Sequence, residues 1–161
     1  MIAGHRRMGD KTPLFIGIDL AWSTNNRSGL AILRGGEVLE VTTVGDDKEI
    51  LKIIDDWAKG EHTMMIAIDA PLIVPNESGS RPAEQALGRW FRSYHAGAHP
   101  ANRRQLGSWT GVIRGEVLSE ALARRGFTQE FLQEPRQEGI QRVIEIYPHP
   151  AMISLFGLDK V

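Results

Sequence analysis

The sequence predicts an α/β fold in which helices pack against a mixed β-sheet. Two observations support this expectation: the chain begins with three consecutive strand-like segments, and it then alternates between helical and strand-like segments. Length and composition agree, because 161 residues with 42% apolar and 24% charged side chains are typical of one globular domain. The absence of cysteine excludes disulfides, thiolate zinc sites and cysteine nucleophiles.

The first part of the chain predicts an antiparallel meander. Residues 14–20 (LFIGIDL) form a short apolar run with branched side chains, which is typical of a buried strand. A polar turn leads to a second strand over 30–34. The pair Gly35-Gly36 then precedes residues 37–44, and a Gly-Gly pair between two strand-like runs is typical of a hairpin.

A helix and a fourth strand are predicted next. Asp46 or Asp47 can cap a helix that runs to about Lys59, because isoleucines recur on one face at helical spacing. Residues 64–70 (MMIAIDA) again form an apolar run of strand length. This segment therefore predicts a second buried strand that would pack beside the first.

The second half of the chain predicts helices around an Arg-rich insert. We expect a helix over about 83–93, an irregular segment over 94–111 that is rich in Gly, Pro, His and Asn, and a helix over about 113–125. Residues 141–147 (QRVIEIY) predict the fifth strand, and residues 150–157 predict a last short helix.

The N-terminal residues carry no targeting or membrane signal. Residues 1–13 are polar, so we expect a flexible N-terminal segment followed by a single domain over 14–161. The longest apolar stretch, residues 64–75, is far shorter than the ~20 residues of a membrane span and contains Asp69. We therefore expect a cytoplasmic protein that does not interact with membranes.

Three predicted strands share one feature, an acid at the end of an apolar run. These acids are Asp19, Asp69 and Glu145. A carboxylate in a buried strand is costly unless it is paired or binds a metal, and ligands gather beyond the carboxyl ends of parallel strands. If the three strands are parallel neighbours, the acids meet at one sheet edge. Oxygen ligands without cysteine select Mg²⁺ or Mn²⁺ rather than zinc.

Each of these residues also has a structural interpretation. Asp19 and Asp69 could be turn residues that close their strands, and Glu145 could form a salt bridge with an arginine such as Arg142. His149, which lies between two prolines, could act as an acid–base group, contact substrate or only pack. The sequence leaves these alternatives open.

The charge is unevenly distributed along the chain. Residues 80–125 contain eight basic and three acidic side chains, whereas the whole chain has a net charge of -1. The guanidinium group of arginine can grip phosphate oxygens with two hydrogen bonds, so this segment predicts contacts to a nucleic-acid backbone, with a solvated surface as the alternative. All eight basic residues are arginines: Arg81, Arg89, Arg92, Arg103, Arg104, Arg114, Arg124 and Arg125.

Two kinds of substrate contact are predicted around the acids. Arg89, Arg92, Arg103 and Arg104 are candidates for phosphate contacts. Trp22 directly follows the first acid-terminated strand and could stack on a base or sugar.

Four segments of the sequence are similar to one known family. Residues 17–22 (GIDLAW), 68–72 (IDAPL), 81–84 (RPAE) and 145–151 (EIYPHPA) resemble the predicted RNase H-like nuclease family, a family of unknown function (DUF429). The resemblance spans residues 14–157. It implies a ribonuclease H-like fold with a five-stranded mixed sheet in the order 3-2-1-4-5, flanked by helices.

The resemblance also implies roles for individual residues. It implies an acid cluster for divalent metal, with Asp19 on the first strand and Asp69 on the fourth.

It further implies that Arg81 and Glu84 match a loop-helix motif, which makes them candidates for substrate binding, and that Glu145 and His149 match the motif of the fifth strand. Members of the family usually continue into a further helix with an Asp-Ala repeat. The sequence ends at Val161, before such a helix, so we expect a domain without it.

These patterns together predict a metal-dependent nuclease. Two Mg²⁺ or Mn²⁺ ions would be bound by Asp19, Asp69 and Glu145, with Asp19 bridging both, for hydrolysis of a phosphodiester bond. One alternative is a non-catalytic nucleic-acid-binding or regulatory module with the same fold. Another is a nucleotide phosphotransferase of the actin and sugar-kinase superfamily, which would need two such domains. The sequence leaves open whether the substrate is DNA, RNA or a small phosphoester.

Overall fold

A computed structural model describes residues 12–129 and 139–159, and the strands in these ranges form one five-stranded mixed sheet. The strands are β1 (Leu14–Asp19), β2 (Ser28–Arg34), β3 (Glu37–Val44), β4 (Met64–Asp69) and β5 (Gln141–Glu145). Their order is β3-β2-β1-β4-β5. The β1–β2 and β2–β3 pairs are antiparallel, and the β1–β4 and β4–β5 pairs are parallel. The predicted sheet and its strand order are confirmed.

Helices flank this sheet. They are α1 (Asp47–Ala58), α2 (Pro82–Phe91), α3 (Arg103–Thr110), α4 (Arg114–Ala123) and α5 (Pro148–Phe156), and a 3₁₀ turn follows α2 at Arg92–Tyr94. β5 ends at Glu145, two residues earlier than predicted, and α5 begins at Pro148 rather than Pro150. Proline is well suited to the first turn of a helix, because the backbone N–H that it lacks has no partner there.

The prediction of an irregular segment over 94–111 was wrong for residues 103–110, which form α3. The side chain of Asn102 caps this helix by accepting a hydrogen bond from the Gln105 N–H at 2.9 Å. Leu106 of α3 is buried in a small apolar cluster with Val74, Ala101 and Ile113. The Asn102 cap and the buried Leu106 therefore stabilise a helix whose own sequence is mostly polar.

Local sequence signals shape the first half of the fold. Gly35 and Gly36 have φ angles of 57° and 85°, and two consecutive positive φ angles are what a tight β2–β3 hairpin requires. Asp46 caps α1, because its side chain accepts a hydrogen bond from the Glu49 N–H at 2.9 Å. Both features were predicted from the residue types.

The main core lies on one face of the sheet. Alternate residues of β1 and β4, beginning with Leu14 and Met64, are buried there. Ile50 and Ile54 of α1 and Leu118 of α4 belong to the same cluster. Asp19 and Asp69 have the opposite parity along their strands, so their side chains belong to the other face of the sheet.

Most of the predicted N-terminal segment, residues 1–13, lies outside the described residues. Among the helices in 12–129 and 139–159, none has both the length and the apolar character of a membrane-spanning segment.

Candidate active site

Two carboxylates lie side by side at the carboxyl edge of the parallel strands. Asp19 is the last residue of β1, Asp69 is the last residue of β4, and the two are direct partners in the β1–β4 register. Neighbouring strands are ~4.8 Å apart, and residues in register project to the same face. The register therefore brings together the two acids that the sequence analysis placed on the first and fourth strands.

Electrostatic interactions link this pair to two further side chains. Burial raises the pKa of Asp69, and repulsion from Asp19 and from Glu145 raises it further, whereas attraction to His149 opposes the shift. The other two predicted ligands, Asp19 and Glu145, and the predicted acid–base residue His149 are therefore close enough to influence the Asp69 carboxyl group. Such a cluster is stabilised when a proton or a cation neutralises part of its charge.

The third acid, Glu145, already has protein partners. β5 is parallel to β4, and Glu145 is opposite Ile68 in the register. Its Oε2 accepts hydrogen bonds from the Leu72 N–H and from an Arg81 guanidinium nitrogen, each at 3.0 Å. Its Oε1 accepts a second Arg81 bond at 2.5 Å. Since a carboxylate offers about four acceptor positions, one position at Oε1 stays available.

Arg81 is the centre of this network. Its backbone N–H and its Nε each donate to Glu84 at 2.6 Å, and its guanidinium group also donates to the Ile73 carbonyl oxygen at 2.8 Å. Although burial lowers the pKa of Arg81, its hydrogen bonds to Glu145 and Glu84 raise it above the ordinary value. The motif residues Arg81 and Glu84, predicted to contact substrate, are thus bound to each other, and Glu84 is only 5% exposed.

His149 and Tyr147 complete the site at the start of α5. Their ring centroids are 5.4 Å apart. The Tyr147 hydroxyl donates to the Gly97 carbonyl oxygen at 3.4 Å, and burial and the Asp69 charge both raise its pKa. Sequence reasoning included His149 but missed Tyr147, although the segment from Glu145 to His149 contains it.

The helix α4 was predicted, but the role of its first turn was missed: this turn holds the loops that follow both acids. The Arg114 guanidinium group donates to the Ala21 carbonyl oxygen at 2.6 Å and to Asp47 at 2.8 Å. Glu116 accepts the Val74 N–H at 2.9 Å. Residue 115 is a glycine that packs against the backbone of Pro71, two residues after Asp69. Residues 114–116 therefore fix the backbone of the loops that follow Asp19 and Asp69.

The arginines of residues 80–125 differ in their surroundings. Besides Arg81 and Arg114, Arg103 pairs with Glu116 and Arg125 pairs with Asp55. Half of the predicted cationic surface is therefore neutralised within the protein. The other four of these eight arginines form no ion pair with a residue in 12–129 or 139–159: Arg89, Arg92, Arg104 and Arg124.

A groove begins one residue beyond each acid. Trp22 is 55% exposed at its wall, and the groove contains about 300 Å³ of empty space, including open solvent. Its lining is mostly apolar and consists of Leu20, Ala21, Trp22, Ala70, Pro71, Leu106, Val112, Ile113, Arg114 and Gly115. The predicted stacking residue Trp22 thus lines a groove that also includes Leu20 and Ala70, the residues next to Asp19 and Asp69 in the chain.

Asp19 and Asp69 offer carboxylate oxygens, which are suitable ligands for a hard cation. In the part of the chain that the structure describes, no three side chains of His, Cys, Asp or Glu are arranged to hold one metal ion together. Asp19 and Asp69 remain as a pair of carboxylates, and Mg²⁺ is commonly bound by one or two carboxylates, water and substrate phosphate. The role of Glu145 as a third ligand stays a prediction, because its carboxylate is paired with Arg81.

Comparisons with known proteins identify a family but no function. The model of the family described as "Protein of unknown function (DUF429)" matches residues 17–161. No curated protein and no solved structure matches the chain.

Proposed function

Since the chain belongs to the DUF429 family of proteins of unknown function, its activity has to be inferred from its residues, and we propose that it is a metal-dependent nuclease with an RNase H-like fold. The observation that carries this proposal is the in-register pair of Asp19 and Asp69 at the carboxyl ends of two parallel strands. The sheet order β3-β2-β1-β4-β5 supports it, because the same order is implied by the resemblance to RNase H-like proteins.

The electrostatics of the pair support a cation as the resident group. The raised pKa of Asp69 reflects burial together with repulsion from two other carboxylates. A divalent ion removes this repulsion, and oxygen ligands of this kind select Mg²⁺ or Mn²⁺. Asp19 and Asp69 would hold the ion, which would supply the Lewis acidity that phosphodiester hydrolysis needs.

The surrounding side chains have separate tasks in this proposal. His149 is exposed and close enough to Asp69 to interact with its charge, so its imidazole can take up or release a proton next to the substrate phosphate. Glu145 is fixed by Arg81 and Leu72, so its remaining acceptor position can orient a water molecule. Arg104 forms no ion pair with a described residue and is exposed, which suits contact with a phosphate of the nucleic-acid backbone.

Calorimetric titration with Mn²⁺, followed by cleavage assays on labelled oligonucleotides, tests the proposal. Wild-type protein should bind Mn²⁺ and cleave, and chelation with EDTA should abolish cleavage. Asp19→Asn and Asp69→Asn should each weaken Mn²⁺ binding at least ~10–100-fold, since changes even to outer partners of metal ligands have effects of that size. Glu37→Gln is the matched control, because Glu37 begins β3 at the opposite sheet edge and its loss removes the same charge.

One observation favours a second candidate, the non-catalytic nucleic-acid-binding module. Both oxygens of Glu145 already accept hydrogen bonds from protein groups. In that case the wild type should bind oligonucleotides but show no heat of Mn²⁺ binding and no cleavage. Those results together would refute the nuclease and support the binding module.

A further inference from the structure

We propose that the groove beside the acid pair binds an unpaired nucleobase, so that the substrate is single-stranded nucleic acid. This inference rests on the proposed nuclease function and specifies its substrate class. The groove is named the base groove below and is lined by the residues given above around Trp22.

The position of the base groove links it to the site of chemistry. Leu20 and Trp22 follow Asp19 directly in the chain, and Ala70 and Pro71 follow Asp69. Consecutive Cα atoms are ~3.8 Å apart. The acids lie on the sheet face opposite the core, and the groove is lined by α4 on the core side, so a strand that crosses this edge of the sheet would contact both.

The lining of the base groove suits the flat face of a base. Its walls are mostly apolar, and Trp22, which follows buried Leu20 in the β1–β2 loop, is 55% exposed. An indole ring is a good stacking partner for any base, because every base has a π-face. The groove is open to solvent, so a flat group can lie against its wall without entering an enclosed cavity.

Hydrogen bonds hold the backbone around the base groove. Arg114 is buried and holds the Ala21 carbonyl oxygen at 2.6 Å, while Ala21 also donates its N–H to Ser28 at 3.1 Å. On the other side, Glu116 and Glu145 accept the N–H groups of Val74 and Leu72. A preformed site loses little conformational entropy on binding, which favours recognition.

A stacking groove of this kind distinguishes single strands from duplexes. In a duplex the base faces are covered by their neighbours, so side chains can stack only on bases that are unpaired or at an end. Arg104 lies in the first turn of α3, two residues before the groove residue Leu106, and can hold the adjacent backbone. A stacking wall next to a phosphate-binding cation is the arrangement that single-strand-binding proteins use.

Fluorescence anisotropy of a labelled 12-nucleotide single strand, measured in EDTA at low salt, tests the proposal without any need for cleavage. Wild-type protein should bind the single strand more tightly than a duplex of the same sequence. Trp22→Leu should weaken single-strand binding by about 5- to 150-fold, and Trp22→Phe should restore most of the affinity. Trp90→Leu is the matched control, since Trp90 is 71% exposed on α2 outside the groove.

A second variant tests the groove without changing the tryptophan. Val112 is 54% exposed at the groove, so Val112→Asp should fold normally and also weaken single-strand binding by electrostatic repulsion. The proposal is overturned if Trp22→Leu binds like the wild type, if Trp90→Leu loses as much affinity, or if the duplex binds as tightly as the single strand. Failure of the nuclease proposal has a different signature, because the wild type would then bind single strands but neither bind Mn²⁺ nor cleave.

Discussion

The close contact between α4 and the loop after Asp69 predicts that Gly115→Ala disturbs both stability and metal binding. A Cβ atom at residue 115 would lie 2.1 Å from the Pro71 carbonyl oxygen and 3.0 Å from its carbonyl carbon. Ordinary contacts begin near 3.4 Å, so helix or loop has to move by more than ~1 Å. The neighbours are backbone atoms, and the loop is held by Glu116 and Glu145, so a side-chain rotation cannot relieve the clash.

The size of the effect follows from two opposing contributions. Overpacking of this kind typically costs ~1–3 kcal/mol, while replacement of glycine by alanine in a helix stabilises by up to ~1 kcal/mol. We expect the free energy of unfolding to fall by about 1–2 kcal/mol, which lowers the melting temperature by roughly 3–6 °C. Mn²⁺ affinity should fall as well, because Pro71 is two residues from Asp69.

Urea and thermal denaturation of matched alanine variants measure this prediction. Gly88→Ala in α2 and Gly107→Ala in α3 place the Cβ in open space, since nothing lies within 4 Å of either position. Both should raise the free energy of unfolding by ~0.5–1 kcal/mol through helix propensity. If Gly115→Ala is as stable as Gly107→Ala and binds Mn²⁺ like the wild type, the packing of α4 does not position the acid pair.

Three further predictions concern charge. Asp19→Asn removes repulsion from Asp69, so in EDTA it should melt at the same temperature as the wild type or up to about 3 °C higher; a lower melting temperature would indicate a structural role for Asp19. Because the folded-state pKa of Asp69 is raised, its contribution to stability is present below its ordinary pKa near 4 and is lost as the pH rises through the raised value. Asp69→Asn should therefore gain stability relative to the wild type between pH 4 and 7 in metal-free urea titrations, and a constant difference would contradict this shift. Arg104→Ala should make the slope of log affinity against log salt shallower by about 0.7 for a single strand. Arg103→Ala should change it less, because Arg103 is paired with Glu116, and equal slopes for both variants would show that this pairing is irrelevant to binding.

The sheet and its acids could be predicted because their signals are local. An apolar run that ends in an acid is visible within six residues, and it correctly indicated where β1 and β4 end. The turn glycines and the Asp46 cap are equally local, since the residue type and its neighbours decide them. The strand order required the resemblance to a family as well, because nothing within one segment specifies its neighbours in a sheet.

The partners of the charged residues could not be predicted from local patterns. Arg81 and Glu145 are separated by 64 positions, and Arg114 and Asp47 by 67. A cluster of arginines looks the same in sequence whether its members face solvent or bind buried carboxylates. For the same reason α3 was missed, since its stabilising contacts to Val74 and Ile113 come from outside the helix.

The in-register pairing of β1 and β4 also constrains how the distance between the two acids can change. The same alternation that buries every second residue from Leu14 and Met64 places Asp19 and Asp69 on the opposite face. Deletion of a single residue within either strand would point one acid toward the core face and shift it by ~3.3 Å along the strand. The backbone can therefore change the distance between the carboxylates only in steps of one residue. A smaller change requires a different side-chain length, as in an exchange of aspartate for glutamate, or a different rotamer.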